Sequence, residues 1–263
     1  LLKGLQYLQK FDGLLMNRPA DRDLTMFAQM HEGKVSTTLG MRGMPRVSED
    51  IIIERDLKLL EYGGGKIHFA LISTQGAVKL IRDAKKKLKV SCSVAAHQLL
   101  FRDEEVESFD TNFKVNPPFR TDTDIRALRK GISEGVIEVI VSAHDPQDQE
   151  NKKLEFDLAE FGAIGLQTVF PTLVELSGEI KLDKLLDTIT VNPRKLLGLE
   201  IPSLEKGESA NLTLFDPKLQ WTLNEKTNRS LSSNSPYWGR PLTGKAVGIF
   251  NRSEFVLDPE LEK

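Results

Sequence analysis

Histidine, cysteine and carboxylate side chains are the groups that hold a catalytic metal, and this sequence spaces them poorly for that work. Its four histidines, His31, His68, His97 and His144, are widely separated, and it has one cysteine, Cys92. There is no HxH pair, no HExxH helix and no cysteine cluster. His68 falls inside a strand-like run and reads as a satisfied core or surface imidazole. His31 falls in a loop and reads as solvent-facing or hydrogen-bonded. His97 and His144 each follow a strand-like run, where a side chain can face a pocket. Ser36 and Ser73 lack an adjacent base and a nucleophile-elbow pattern. Gly63-Gly64-Gly65 lacks the Lys-Ser/Thr ending of a nucleotide loop and reads as a helix stop. These residues alone leave the activity open.

The elements that must position them follow from periodicity. Residues 1–10 read as an amphipathic helix with Leu1, Leu5 and Leu8 on one face. Residues 13–16 read as a short buried strand. Val47, Ile51, Leu57, Leu60 and Tyr62 predict a helix over 47–62 with that side inward and Glu49, Glu54 and Asp56 outward. Residues 66–72 read as a strand closed by Ser73-Thr74, and 75–87 as a helix. Its terminal Lys85, Lys86 and Lys87 suit the negative end of the helix dipole and read as a solvated face. Residues 90–95 and 137–141 read as strands. Between them a loop through Asn116-Pro117-Pro118-Phe119-Arg120 leads to a helix opened by Thr121-Asp122-Thr123-Asp124. This alternation predicts an α/β fold with a parallel sheet and crossover helices. Such sheets place ligand sites at the carboxyl ends of their strands. The informative residues are those just after Met16, Ile72, Ala95 and Val141. Near residue 199 the pattern changes to turn signals and short alternating runs such as 211–215, which predicts a division into 1–198 and a small β region, 199–263. Residues 230–235 read as a short polar loop.

Composition bounds the partners. The chain has 263 residues, 36 basic and 38 acidic, and a formal charge of -2. With no basic excess to displace counterions, nucleic acid is not an expected partner. No apolar run approaches the roughly 20 residues of a membrane helix. The lone cysteine excludes an internal disulfide and fits a reducing, cytoplasmic setting. The first residues read as the middle of a helix with no initiator Met, so the sequence is expected to be part of a longer chain.

Several stretches together resemble dihydroorotases of the amidohydrolase superfamily. They are Glu32-Gly33-Lys34-Val35-Ser36-Thr37-Thr38-Leu39-Gly40 with Gly43-Met44-Pro45 and Glu49, then Arg55-Asp56-Leu57, Ile72-Ser73-Thr74 and Lys114-Val115-Asn116-Pro117-Pro118-Phe119-Arg120. Gly162, Gly165-Leu166-Gln167-Thr168, Asn192-Pro193 and Gly207 with Ala210-Asn211-Leu212 extend the likeness over nearly the whole chain. The resemblance implies a TIM (β/α)8 barrel with a small β-sandwich part. By it, residues 1–198 are the C-terminal half of a metal-dependent-hydrolase-like barrel, and 199–263 are the C-terminal part of the β-sandwich. The family's HxH metal pair, substrate arginine and bridging carboxylate would precede residue 1. Half a barrel leaves open sheet edges, so these residues are not expected to fold alone.

The departures from the family matter most. Where the resemblance puts a zinc-binding His after the fifth barrel strand, this chain has Arg18. Where it puts another, before the Ser-Thr pair, the chain has Leu71. The family's Asp-His-Ala-Pro-His stretch, whose Asp binds metal and acts as base, reads Ala143-His144-Asp145-Pro146-Gln147. The substrate-binding second His is thus Gln147. Leu and Ala have no lone pair to donate, and a guanidinium has no acceptor and repels a dication. A ring-amide hydrolase of this class needs the metal to acidify water and a carboxylate to move the proton. Asp145, two residues along, is an alternative base. Arg18 is expected to form a buried ion pair with an upstream carboxylate. Of the matched substrate positions, Asn116 and Arg120 persist.

The resemblance therefore implies a dihydroorotase-like protein of pyrimidine biosynthesis with an erased site formed by Arg18, Leu71, Ala143, His144 and Gln147. No metal is expected, and the role is that of a non-catalytic partner of aspartate transcarbamoylase, with self-association also expected. Two alternatives stand beside it. One is an active zinc cyclic amidohydrolase opening the dihydroorotate ring. The other is a sensor binding a dihydroorotate-like ligand through Asn116 and Arg120.

Overall fold

Short apolar runs separated by helices assemble here into a parallel sheet. The computed structural model describes residues 1–258; residues 259–263, the end of the expected 199–263 region, lie outside the described residues. The strands are β1 (Leu15–Asn17), β2 (Met30–His31), β3 (Gly43–Met44), β4 (Ile67–Phe69), β5 (Val90–Ala95), β6 (Val139–Val141), β7 (Asn211–Thr222), β8 (Pro241–Asn251) and β9 (Glu254–Leu257). The helices are α1 (Leu2–Leu8), α2 (Arg22–Thr25), α3 (Lys34–Leu39), α4 (Val47–Gly63), α5 (Gln75–Ala84), α6 (Asp122–Ser133), α7 (Gln149–Lys152), α8 (Val169–Leu176), α9 (Leu182–Asp187) and α10 (Val191–Leu197). Two compact units result, residues 1–166 with 230–236, and 167–229 with 237 onward. The first division along the chain falls at 166/167.

In the first unit β1, β4, β5 and β6 lie side by side in that order, all parallel. Asn17 pairs with Phe69 and Phe69 with Cys92, while Val141 pairs with Ala95, so β5 and β6 run three residues past the level at which β1 and β4 end. The short strands β2 and β3 form a separate parallel pair. Every residue of β5 is buried, as a central strand covered on both faces requires. Helix α4 stops where the glycines predict: Gly64 is left-handed at φ 69° and its N–H bonds the Leu60 carbonyl. Thr74 caps α5 by accepting from the Ala77 N–H at 3.0 Å.

The inward face of α4 differs from the expected one. Val47, Ile51 and Tyr62 are exposed, while Glu49 and Asp56 are buried with Ile52, Ile53 and Leu60. The two carboxylates are inside because donors wait for them there. Asp56 accepts from Asn17 and Arg55. Glu49 accepts from the start of α5, as described below.

In the second unit β7, β8 and β9 form an antiparallel sheet. Helix α8, assigned from sequence to the barrel half, packs on β8. The Phe170 and Phe215 ring centroids are 4.7 Å apart. A Cβ on Gly244 would lie 2.6 Å from Val174 Cγ2, so the close approach requires glycine. Among the described residues no helix is long and apolar enough to cross a membrane.

Candidate functional site

The parallel strands deliver Arg18, Leu71 and Ala143 to the ends of β1, β4 and β6. Leu71 and Ala143 are half-buried and hold left-handed backbones, φ 58° and 45°. That region is uncommon for residues other than glycine. The turn at Leu71 is pinned on both sides: the Ala70 N–H bonds the Asn17 carbonyl at 2.8 Å and the Ile72 N–H bonds the Ser93 carbonyl at 2.9 Å. Arg18 is exposed and, among the described residues, has no carboxylate at ion-pair distance. Desolvation lowers its pKa while the charges of Asp145 and Glu49 act the other way, and it remains a cation.

After β6 the chain is stapled by Asn234, which lies within the polar stretch 230–235. Its Nδ2 donates to the carbonyls of Asp145 and Gly162, both at 3.0 Å, and its Oδ1 accepts from the Gln147 N–H at 3.2 Å. The Gln147 side-chain amide donates to Asp145 Oδ1 at 3.1 Å. His144 Nδ1 accepts the Gly165 N–H at 3.1 Å, which puts the proton of the neutral ring on Nε2. A Cβ on Gly165 would lie 2.2 Å from the Ser142 carbonyl oxygen. That clash is backbone against Cβ and cannot be relieved by a rotamer change. Gly165→Ala is therefore expected to cost at least about 1–3 kcal/mol, seen as a lower melting temperature. An unchanged melting temperature would show that the segment after β6 is loosely held.

The two matched substrate positions sit in different surroundings. Asn116 is exposed and precedes a cis proline. Arg120 is only 2% exposed, and its Nε and Nη1 donors are used. Its Nε donates to Ser73 Oγ at 3.1 Å; its Nη1 donates to the Met44 carbonyl at 2.8 Å and meets His31 Nδ1 at 3.0 Å. The Ser73 hydroxyl in turn donates to Glu49 Oε2 at 2.6 Å, and the Ser73 and Thr74 N–H groups donate to Glu49 Oε1. Burial raises the Glu49 pKa, and Arg120 with these donors opposes that rise. The network ties the ends of β3 and β4 to the N-terminal turns of α4 and α5.

The histidines are framework too. His68 is held between Ser91 Oγ and Ser93 Oγ, at 2.8 and 3.1 Å. His31, expected in a loop, lies buried in β2. His97 is buried with its ring edge-on to Phe119. Among the described residues no three His, Cys, Asp or Glu converge to hold a metal. The residues at the three strand ends do not fit zinc: a cation, an isobutyl group and a methyl supply no donor pair.

Two lysines, Lys114 and Lys152, are buried. Lys114 Nζ donates to the Phe156 and Asp157 carbonyls at 2.7 and 3.1 Å, and Lys152 Nζ to those of Glu160 and Gly162 at 2.8 and 3.2 Å. Together they gather the segment 156–162. Burial, with Lys114 nearby, pushes the Lys152 pKa down to about 8. Between pH 8 and about 10.5 the unfolded chain holds the proton that the native state has lost, so stability rises with pH. The gain is up to roughly 3 kcal/mol across that window. Lys152→Met should remove this share of the pH dependence, measured as the difference between urea-unfolding free energies of the two proteins. Parallel pH profiles would contradict the assignment.

The amidohydrolase family model matches residues 28–237. This chain belongs to the amidohydrolase family. Curated relatives include the dihydroorotase of Pelobacter propionicus, 39% identical over 93% of this chain and 58% of its own length. The dihydroorotase of Carboxydothermus hydrogenoformans is 42% identical over the same shares. The chain thus spans under three-fifths of the length of these relatives. Among solved structures, L-hydantoinase from Arthrobacter aurescens superposes with a TM-score of 0.87 over 98% of this chain and 60% of its own. At 23% identity that likeness speaks for the fold alone. It makes the parallel strands part of an amidohydrolase barrel and the antiparallel sheet part of the accompanying β domain. Within the family this chain is dihydroorotase-like.

Proposed function

We propose that this amidohydrolase acts in pyrimidine biosynthesis without hydrolysing dihydroorotate, as a zinc-free assembly partner of aspartate transcarbamoylase. The observation that carries the reading is the trio at the strand ends. Arg18, Leu71 and Ala143 occupy the positions that the dihydroorotase resemblance matches to two metal ligands and the metal-binding base. The likeness to curated dihydroorotases supports the pathway. The surrounding framework supports a scaffold role, because hydrogen bonds hold the strand-end turn at Leu71 and the Arg120 network while the strand ends carry no metal-ligand set. Asp145 makes a poor replacement base: its side chain accepts from Gln147 and its backbone is fixed by Asn234 and Ala163.

The test has two arms. Metal analysis of the purified intact protein, with a dihydroorotate hydrolysis assay, is expected to give no stoichiometric zinc and no turnover. Size-exclusion with aspartate transcarbamoylase is expected to give a joint peak. Zinc with turnover would overturn the non-catalytic reading; separate elution and unchanged transcarbamoylase activity would overturn the partnership.

A further inference from the structure

One imidazole donor is left over at the edge of the Arg120 network. An arginine N–H can only donate, so the contact between Arg120 Nη1 and His31 Nδ1 makes Nδ1 the acceptor. The proton of the neutral ring is then on Nε2. Burial and the Arg120 charge push the His31 pKa down to about 4, so the ring is neutral at pH 7. His31 is 1% exposed, and among the described residues its Nε2 meets no hydrogen-bond partner. Native proteins leave few buried donors in that condition, because the group has given up water and received nothing in return.

The nitrogen borders an open space beside Gly33. A Cβ built on Gly33 would have as its nearest atoms, outside the adjoining residues, His31 Cδ2 and Nε2, both at 3.5 Å, and Asp103 Oδ2 at 3.9 Å. Those are ordinary contact distances, so a non-hydrogen atom fits there without displacing its neighbours. Asp103 opens the 3₁₀ helix Asp103–Ser108, is 5% exposed, and donates its N–H to the Arg120 carbonyl at 3.1 Å. Burial raises the Asp103 pKa, and the Glu104 charge adds to the rise. A carboxylate well supplied with donors would be held lower.

The two walls of this space make opposite demands. An N–H offers no lone pair, so a metal ion or an ammonium has nothing to gain from His31. A carboxylate on the other side repels an anion. A small neutral hydroxyl that accepts from one and donates to the other satisfies both. We infer that one water molecule is bound beside Gly33, accepting from His31 Nε2–H and donating to Asp103 Oδ2. Two to four such bonds are the usual holding of a buried water. The water extends the network into a chain running from Glu49 through Ser73, Arg120 and His31 to Asp103. It ties the turn at residues 31–33 to the segment that follows β5. The site is independent of zinc, of turnover and of any partner.

The experiment is a high-resolution crystal structure of the intact protein, joined by NMR of the His31 ring in solution. One ordered oxygen is expected at about 2.7–3.2 Å from both Nε2 and Oδ2. The ring is expected as the Nε2–H tautomer, with that proton in dipolar contact with water. A proton on Nδ1, a direct His31–Asp103 bond, or both side chains in place with no density between them overturns the inference. Gly33→Ala supplies a further check, because its methyl group takes the water's place. Gly33 has an extended backbone that alanine also adopts, φ 179°, and a melting temperature within about 2–4 °C of wild type establishes that the variant folds. The water contact of the His31 proton is expected to disappear while the tautomer stays. Contact that survives the substitution overturns the site. Neither NMR readout depends on helix capping, which the same change alters at the start of α3.

Discussion

Arg120→Met is expected to destabilise the protein by about 3–5 kcal/mol, the usual cost of removing one member of a buried charge network. The guanidinium serves three neighbours at once: Ser73 Oγ, the Met44 carbonyl and His31 Nδ1. Through Ser73 it also supports the fully buried Glu49 carboxylate. Methionine fills much of the volume but donates nothing, so three acceptors lose a donor and the buried Glu49 carboxylate loses a nearby positive charge. Urea unfolding of the intact protein measures the loss. A cost under about 1 kcal/mol would mean that the network relaxes around the gap. Coupling gives a sharper check. Glu49→Gln combined with Arg120→Met should cost clearly less than the two single changes added together, since the second change removes the charge that the first left stranded.

Acidification is the second large effect. His31, His68 and His97 are each pushed down to about 4, in every case chiefly by burial, with the Arg120 charge adding to the effect on His31 and Lys85 on His68. An unfolded imidazole titrates near about 6.5. As pH falls through that value the unfolded chain takes up protons that the native core refuses. Stability is therefore complete above pH 6.5 and declines towards pH 4, by up to about 4 kcal/mol per pH unit while all three rings contribute. Glu49, Asp50 and Asp103 have raised pKa values and take up protons in the native state, which offsets part of the decline. Unfolding free energies measured from pH 7 to pH 4 give the slope. His97→Leu should flatten it by about 1.4 kcal/mol per unit, one proton's share. A slope unchanged by that substitution would show that the ring is protonated in the native state.

The sequence made the parallel elements legible because their signals are local. The apolar run at β5, the Thr74 cap and the glycine stop at Gly64 each need only their neighbours. The α4 face was not legible, for a reason that periodicity cannot see. Glu49 turns inward because Ser73, Thr74 and Arg120 lie 24, 25 and 71 positions away in sequence, and only the fold brings them together. The burial of Lys114 and Lys152 is not legible either: their partners are backbone carbonyls, which no side-chain pattern reports. Asn234 sits among serines in a stretch with the look of a linker, yet three of its contacts hold the loop after β6. At the strand ends the resemblance located Arg18, Leu71 and Ala143, and the structure added their surroundings. Arg120, one of the two positions that the resemblance matches to substrate binding, lies in the core.

Leu71 and Ala143 have one further consequence, for redesign. Their left-handed torsions belong to the region that Asn, Asp and His enter more readily than aliphatic residues do. Protein engineers installing His at 71 and Asp at 143 would find the main chain already bent to suit such guests.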